Sequence, residues 1–328
     1  MQVLITGGAG FLGKRLGQTL LARGSIAVNC NSNREISNLV FFDKVAVTDL
    51  PSDPRVKVIA GDISDKATQN SLLDTRFDVI FHLAAIVSGE AESSFDLGMQ
   101  VNLDATRHML EHCRHLDYSP VFVFASSCAV FGGDFDMVIR DDTATTPLTS
   151  YGTQKAISGL LINDYSRRGF LNGRSLRLPT IAIRPGKPNA AASSFVSGII
   201  REPLNGEKAV CPVSRDTEVW ILSPSKVIDA FIHAAEISDT ALGANRIITL
   251  PGLTTSVEEM VQNLEELAGK ETTEFIDFTP DPFIQSIAMT WPGNFQPQRS
   301  KELGFKWNDS VREVIQEYID DEFDGRRP

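Results

Sequence analysis

Apolar and polar positions fall into two alternating rhythms along the chain. Val3-Leu4-Ile5 is a short apolar run that ends in Thr6-Gly7-Gly8-Ala9-Gly10-Phe11-Leu12-Gly13. Leu12, Leu16 and Leu20 then recur with Lys14, Arg15 and Gln18 between them, which is a helical period, and Gly24 reads as its C-terminal cap. The start is therefore strand, glycine turn, helix. Residues 38–43, 55–62, 77–85 and 120–127 read as further strands, and the last two are almost continuously apolar. Strands of that kind are usually covered on both faces, as in parallel sheets. Segments 65–74, 93–115 and 150–168 have helical character and separate several of them. Alternating strand and helix implies an α/β fold with a doubly wound parallel sheet.

Beyond residue 186 the rhythm loosens. Pro188, Pro203 and Pro212 interrupt residues 187–214, residues 256–268 read as a helix ending at Gly269, and residues 309–323 read as an amphipathic helix. Val311, Val314, Ile315 and Ile319 lie on one face of that last helix. The expected division is a dinucleotide-binding unit at 1–186 with a return at roughly 215–250, and a smaller mixed substrate unit at 187–214 and 251–328. A length of 328 residues suits two units of about 150 each.

Composition narrows the partners. Apolar residues make up 42% and the formal charge is −11, which fits a globular chain and disfavours nucleic acid and anionic membrane surfaces. No apolar run approaches the roughly 18 residues of a membrane span, and the first residues lack a basic leader pattern. Cys30, Cys113, Cys128 and Cys211 are widely spaced, which fits free thiols and a cytoplasmic setting.

The glycine turn carries the first chemistry. Gly7 allows a tight turn, Gly10 lets a pyrophosphate approach the backbone, and Gly13 lets helix and strand pack closely. The helix N-terminus adds free N–H groups and a positive dipole end. Asp43 ends the second strand, where a carboxylate binds ribose hydroxyls and repels a 2′-phosphate, so NAD is expected over NADP. It lies late because residues 25–37 read as an insertion. Tyr151 and Lys155 are four positions apart on one helix face. A phenol of pKa near ~10 is a poor base, and an adjacent ammonium favours its phenolate. Ser127, at a strand end, can donate a hydrogen bond to the same substrate oxygen. Together these suit hydroxyl oxidation by a nicotinamide cofactor in a Rossmann-type fold.

At this point the chain resembles the extended short-chain dehydrogenases/reductases, the family of NAD-dependent epimerases and dehydratases. Thr6 to Gly13 matches the first motif, so the resemblance implies cofactor contacts at Gly7, Gly10, Phe11, Leu12 and Gly13. Gly61-Asp62-Ile63 matches the adenine-contacting acid, implying roles for Asp62 and Ile63. His82-Leu83-Ala84-Ala85 matches the strand lining the cofactor, and Asn102 the helix asparagine. Ser127, Tyr151 and Lys155 match the catalytic set, with Tyr151 and Lys155 also against the cofactor, and Pro185 marks the nicotinamide end. The likeness covers essentially the whole chain and is most specific up to residue 186.

Departures from the pattern bear on substrate. Nucleotide-sugar members continue past Arg-Pro with other residues than Gly186-Lys187-Pro188-Asn189-Ala190-Ala191-Ala192-Ser193-Ser194-Phe195. Their later Arg-Asp-aromatic segment is replaced here by Glu218-Val219-Trp220-Ile221. A small polar substrate is implied, and the segment is similar to the subgroup that oxidises the C2 hydroxyl of D-erythronate to 2-dehydro-D-erythronate with NAD. That likeness implies Tyr151 as general base. A nucleotide-sugar 4-epimerase or dehydratase is the alternative. A carboxylate substrate needs a cationic anchor, for which Arg184, Lys187 and Arg215 are candidates. Ser126, Ser127, Tyr151, Asn189 and Ser193 are the expected polar partners. Relatives often pair through the helices at 93–115 and 150–168, so a homodimer with a four-helix interface is expected.

Two patterns read as decoys. His108-Met109-Leu110-Glu111-His112 spells a zinc-peptidase motif, but it lies on a sheet-flanking helix whose basic end suits the helix dipole, so no metal is expected. Cys128 beside Ser127 has no histidine nearby in sequence and reads as a wall residue, and Trp220 reads as packing.

Overall fold

The structure is a computed structural model that describes residues 1–133, 138–187, 191–288 and 290–325. The chain forms two compact units: Met1–Ser127 with Thr149–Arg177 and Ile228–Thr249, and Cys128–Leu148 with Leu178–Val227 and Leu250–Pro328.

Seven parallel strands form the sheet of the first unit: β1 (Gln2–Thr6), β2 (Asn38–Asp43), β3 (Val56–Ala60), β4 (Val79–His82), β5 (Val121–Ser127), β6 (Asn172–Leu178) and β7 (Ile247–Thr249). Their order is β7-β6-β5-β4-β1-β2-β3, so the chain reverses direction across the sheet beside β1. In open α/β sheets, ligands bind at such a reversal, outside the carboxyl ends of the strands. β1, β4 and β5 are buried along nearly their whole length, as their unbroken apolar runs require. Leu4, Val40, Ile80, Met109, Leu110, Phe122 and Phe124 belong to one core cluster there.

Residues 25–37 leave and rejoin the unit through a short antiparallel pair, Ser25–Ile26 with Arg34–Glu35. The helical character expected at 93–115 holds from Phe95 to Arg114, where the backbone stays helical through a wide π-turn at Met99–Asp104; only Ser94, just before it, is non-helical.

The second unit holds a three-stranded sheet of Thr180–Ile181, Glu218–Leu222 and Leu253–Ser256. Helices Ser194–Leu204, Val257–Ala268 and Val311–Phe323 bury Ile199, Ile200, Met260, Leu264, Val314 and Ile315 in one cluster. The expected boundaries shift here. Glu218–Leu222 hydrogen-bonds to both neighbouring strands of this small sheet, so residues 178–227 stay in the second unit and the return begins at Ile228. Residues 128–148, expected in the first unit, also belong to the second.

Candidate active site

Glycine is required at the turn after β1 by direct steric conflict. Gly7 has φ of +73°, and a Cβ there would lie 2.8 Å from the Ala84 amide nitrogen. A Cβ on Gly13 would lie 2.3 Å from the Gly7 carbonyl oxygen. The helix Phe11–Arg23 opens at Gly10 with no side-chain cap, so its first N–H groups have no side-chain partner. Asp43 ends β2 and folds its carboxylate onto this turn, accepting from the Ala9 amide at 3.0 Å. A small-residue cradle, an uncapped helix end and an acid beside it fit a dinucleotide. At the end of β3, Asp62 accepts from the amide and hydroxyl of Ser64 at 2.8 and 2.6 Å. Those bonds hold its carboxyl below the usual carboxylate range, so it stays an anionic acceptor.

β5 and the helix Ser150–Arg167 bring the catalytic candidates together. Thr149 caps this helix by accepting from the Gly152 amide. Lys155, 2% exposed, donates from Nζ to the Ala125 carbonyl at 2.8 Å, two residues before Ser127. Its ammonium nitrogen also lies 5.6 Å from the centre of the Tyr151 ring. Burial pulls the Lys155 pKa down to about 7. While it holds its proton, an ammonium beside a phenol favours the phenolate, which suits proton transfer at a substrate hydroxyl. Ser126 is buried, whereas Ser127 and Tyr151 are partly exposed.

Asn102 sits in the π-turn and braces the loop after β4. Its Oδ1 accepts from the Ile86 amide at 2.9 Å, and its Nδ2 donates to the Ile86 carbonyl and to Gln154 Oε1. Gln154, between Tyr151 and Lys155, was not singled out in the sequence, because its partner is 52 positions away. Its Nε2 is buried without a partner and faces Gly98, where a Cβ would come within 2.6 Å.

The substrate candidates of the second unit have partners of their own. Arg184 donates from Nη2 to the Lys187 carbonyl at 2.6 Å, and its amide donates to Ser197 Oγ. Arg201 donates to the Arg184 carbonyl at 2.7 Å and pairs with Glu202, so this loop is tied to the helix Ser194–Leu204. Lys187 is exposed. Arg215 pairs with Glu258 at 2.6 Å and covers the Phe278 ring at 3.7 Å. Ser193 precedes the helix Ser194–Leu204, and Asn189 lies outside the described residues. Trp220 is buried and stacks on Phe295 with ring centres 5.1 Å apart. His108 and His112 turn their Nε2 atoms to Asn70 and to the Leu73 carbonyl, respectively.

A family model described as the NAD dependent epimerase/dehydratase family matches residues 3–244. Two D-erythronate dehydrogenases are similar over nearly the whole chain. The one from Cupriavidus necator is 48% identical and the alignment covers 98% of both chains. The one from Haemophilus influenzae is 45% identical, covering 98% of this chain and 99% of the other. A crystal structure described as a nucleoside-diphosphate-sugar epimerase from Agrobacterium tumefaciens is 42% identical, with a TM-score of 0.94 over 100% of this chain and 96% of that one. On its glycine turn, its Tyr151–Lys155 helix and these matches together, the chain belongs to the NAD dependent epimerase/dehydratase family.

Proposed function

We propose that the protein oxidises the C2 hydroxyl of D-erythronate to 2-dehydro-D-erythronate with NAD. The observation that carries this reading is the near-full-length likeness to two D-erythronate dehydrogenases. Bound NAD supplies the hydride acceptor. The chain's own residues do the rest. Gly7, Gly10, Phe11, Leu12 and Gly13 hold the pyrophosphate, Asp43 the adenosine ribose, and Asp62 and Ile63 the adenine. Leu83, Ala84, Ala85, Asn102 and Pro185 line the cofactor. Tyr151 takes the hydroxyl proton, Ser127 steadies the oxygen with Ser126 beside it, and Lys155 keeps Tyr151 acidic.

The substrate carboxylate calls for a cation, and Lys187, Arg184 and Arg215 are the candidates, with Ser193 and Asn189 as polar partners. Lys187 ranks first, because Arg215 is already neutralised by Glu258 and one arm of Arg184 is spent on a backbone carbonyl. A homodimer through the helices around 95–114 and 150–167 is part of the same reading. Phe95, Ile157 and Leu160 on those helices are exposed large apolar side chains, which supports it, since a partner surface would cover them. A cytoplasmic setting belongs to the same reading, supported by cysteines that are all free thiols among the described residues; no helix among the described residues is long and apolar enough to cross a membrane.

Purified protein given D-erythronate and NAD should accumulate NADH. Tyr151→Phe should lower that rate by about 10²–10⁴-fold with NAD binding intact. Absence of turnover across four- to six-carbon aldonates would sink the reading. Tightly held NAD with no net reduction would point to the epimerase that the Agrobacterium structure's description names. Light scattering tests the dimer, which a monomer mass refutes.

A further inference from the structure

A buried chain of hydrogen bonds runs from the glycine turn to the catalytic helix, and donor counting fixes its direction. Thr106 Oγ1 donates to the Asn102 carbonyl at 2.9 Å, and a carbonyl can only accept. The single Thr106 proton is thereby used, so its oxygen must accept from His82 Nε2, 3.0 Å away. His82 Nε2 therefore carries the ring proton. At the other end, Thr6 Oγ1 accepts from the Ala84 amide at 3.3 Å and keeps its own proton for His82 Nδ1, 2.7 Å away. Each donor in the series Ala84, Thr6, His82, Thr106, Asn102 points the same way.

An imidazolium does not fit this series, because both ring nitrogens would donate and the Thr6 proton would lose its acceptor. His82 is fully buried, and the charged group facing it is Lys155. The Phe124 ring stacks on His82, and the Lys155 ammonium nitrogen lies 4.6 Å from that ring's centre. Burial and the lysine charge both oppose a second proton on His82. The far end of the series is anchored twice to the catalytic helix. Ser158 Oγ also donates to the Asn102 carbonyl, and the Asn102 side chain donates to Gln154. The near end sets Ala84 against Gly7, where a Cβ has no room.

We propose that His82, fixed as its Nε2–H tautomer, is a positioning residue that registers the cofactor-side loop at Ala84 to the Tyr151–Lys155 helix through Thr106 and Asn102. This rests on the dehydrogenase reading above. Small displacements between reacting groups cost rate more than binding, so the loss should appear in kcat.

The test has two arms on the full chain. In protein with isotope-labelled histidine rings, His82 should show a proton on Nε2, a bare Nδ1 and no titration between about pH 5.5 and 8. A proton on Nδ1, or a titrating ring, overturns the proposal. In the second arm, Thr106→Val should lower kcat about tenfold and leave the NAD dissociation constant within about twofold, and Thr106→Ser should restore kcat. An unchanged kcat in a folded Thr106→Val variant overturns it too. If that variant does not fold, the ring measurement on the unaltered protein still decides. A protein inactive on every aldonate would defeat the dehydrogenase reading while leaving the tautomer result standing.

Discussion

Two glycines show how differently the two units use the same residue. Gly13, in the turn after β1, faces a backbone oxygen 2.3 Å from where its Cβ would be. Gly186, in the Arg184–Lys187 loop, has φ of +81° and nothing within 4 Å of that position. The first is glycine because another part of the backbone occupies the space. The second is glycine only because its own conformation is left-handed. The contrast extends to the cations. Lys155 is sealed in and its ammonium is held against one carbonyl, while Arg215 lies open and already paired with an acid. In the first unit a glycine and a lysine are fixed by backbone neighbours; in the second the matching glycine is open and the matching cation is held by an exposed acid.

Gly13→Ala should be the largest break. It should weaken NAD binding by at least about 100-fold in calorimetry, whereas Gly186→Ala should cost only about 1–2 kcal/mol of stability, from backbone strain. Equal effects of the two changes would erase the distinction between them.

Lys155→Met separates function from stability. Turnover should fall by about 10²-fold or more. The NAD-free variant should be no less stable near pH 6, because the change removes a buried charge. The sign follows from the pKa. Lys155 titrates at about 7 when folded and at 10.5 in its ordinary state, so the unfolded chain holds an extra proton between those values. Stability of the unaltered protein should therefore gain a contribution as pH rises through 7 toward 10.5, and Lys155→Met should lack it. Denaturant melts across that range check the slope.

A smaller effect tests the second unit. Lys187→Ala should raise the KM for D-erythronate about tenfold, as loss of a charge-assisted bond does. Arg215→Ala should change KM less than about threefold and cost about 0.5 kcal/mol of stability, since its pair with Glu258 is exposed. The reverse order would make Arg215 the carboxylate anchor.

The mildest test concerns acid. Burial lowers the His82 pKa from 6.5 to about 3, so the folded state binds one proton fewer across that window. Stability should fall as pH drops from 6.5 toward 3, and His82→Gln should show a shallower slope there. Identical slopes would mean that His82 charges in the folded protein.

The sequence alone determined the parts whose physics is local. A three-residue glycine spacing between strand and helix, and a tyrosine and lysine one helical turn apart, are written in adjacent residues, because each serves one turn of backbone. The buried strands announced themselves by unbroken apolar runs. Tertiary structure decided what depends on distant partners. The π-turn inside the helix that spans 95–114 presents Asn102 to Ile86 and Gln154, neither of which its own segment reveals. The strand Glu218–Leu222 went to the second unit because its hydrogen-bond partners lie there. Arg215 looked like a spare cation until the fold set Glu258 against it. His82 read as one letter of a cofactor motif, and its tautomer follows only from two threonines 76 and 24 positions away. Side-chain partners fix protonation, and partners are chosen by the fold.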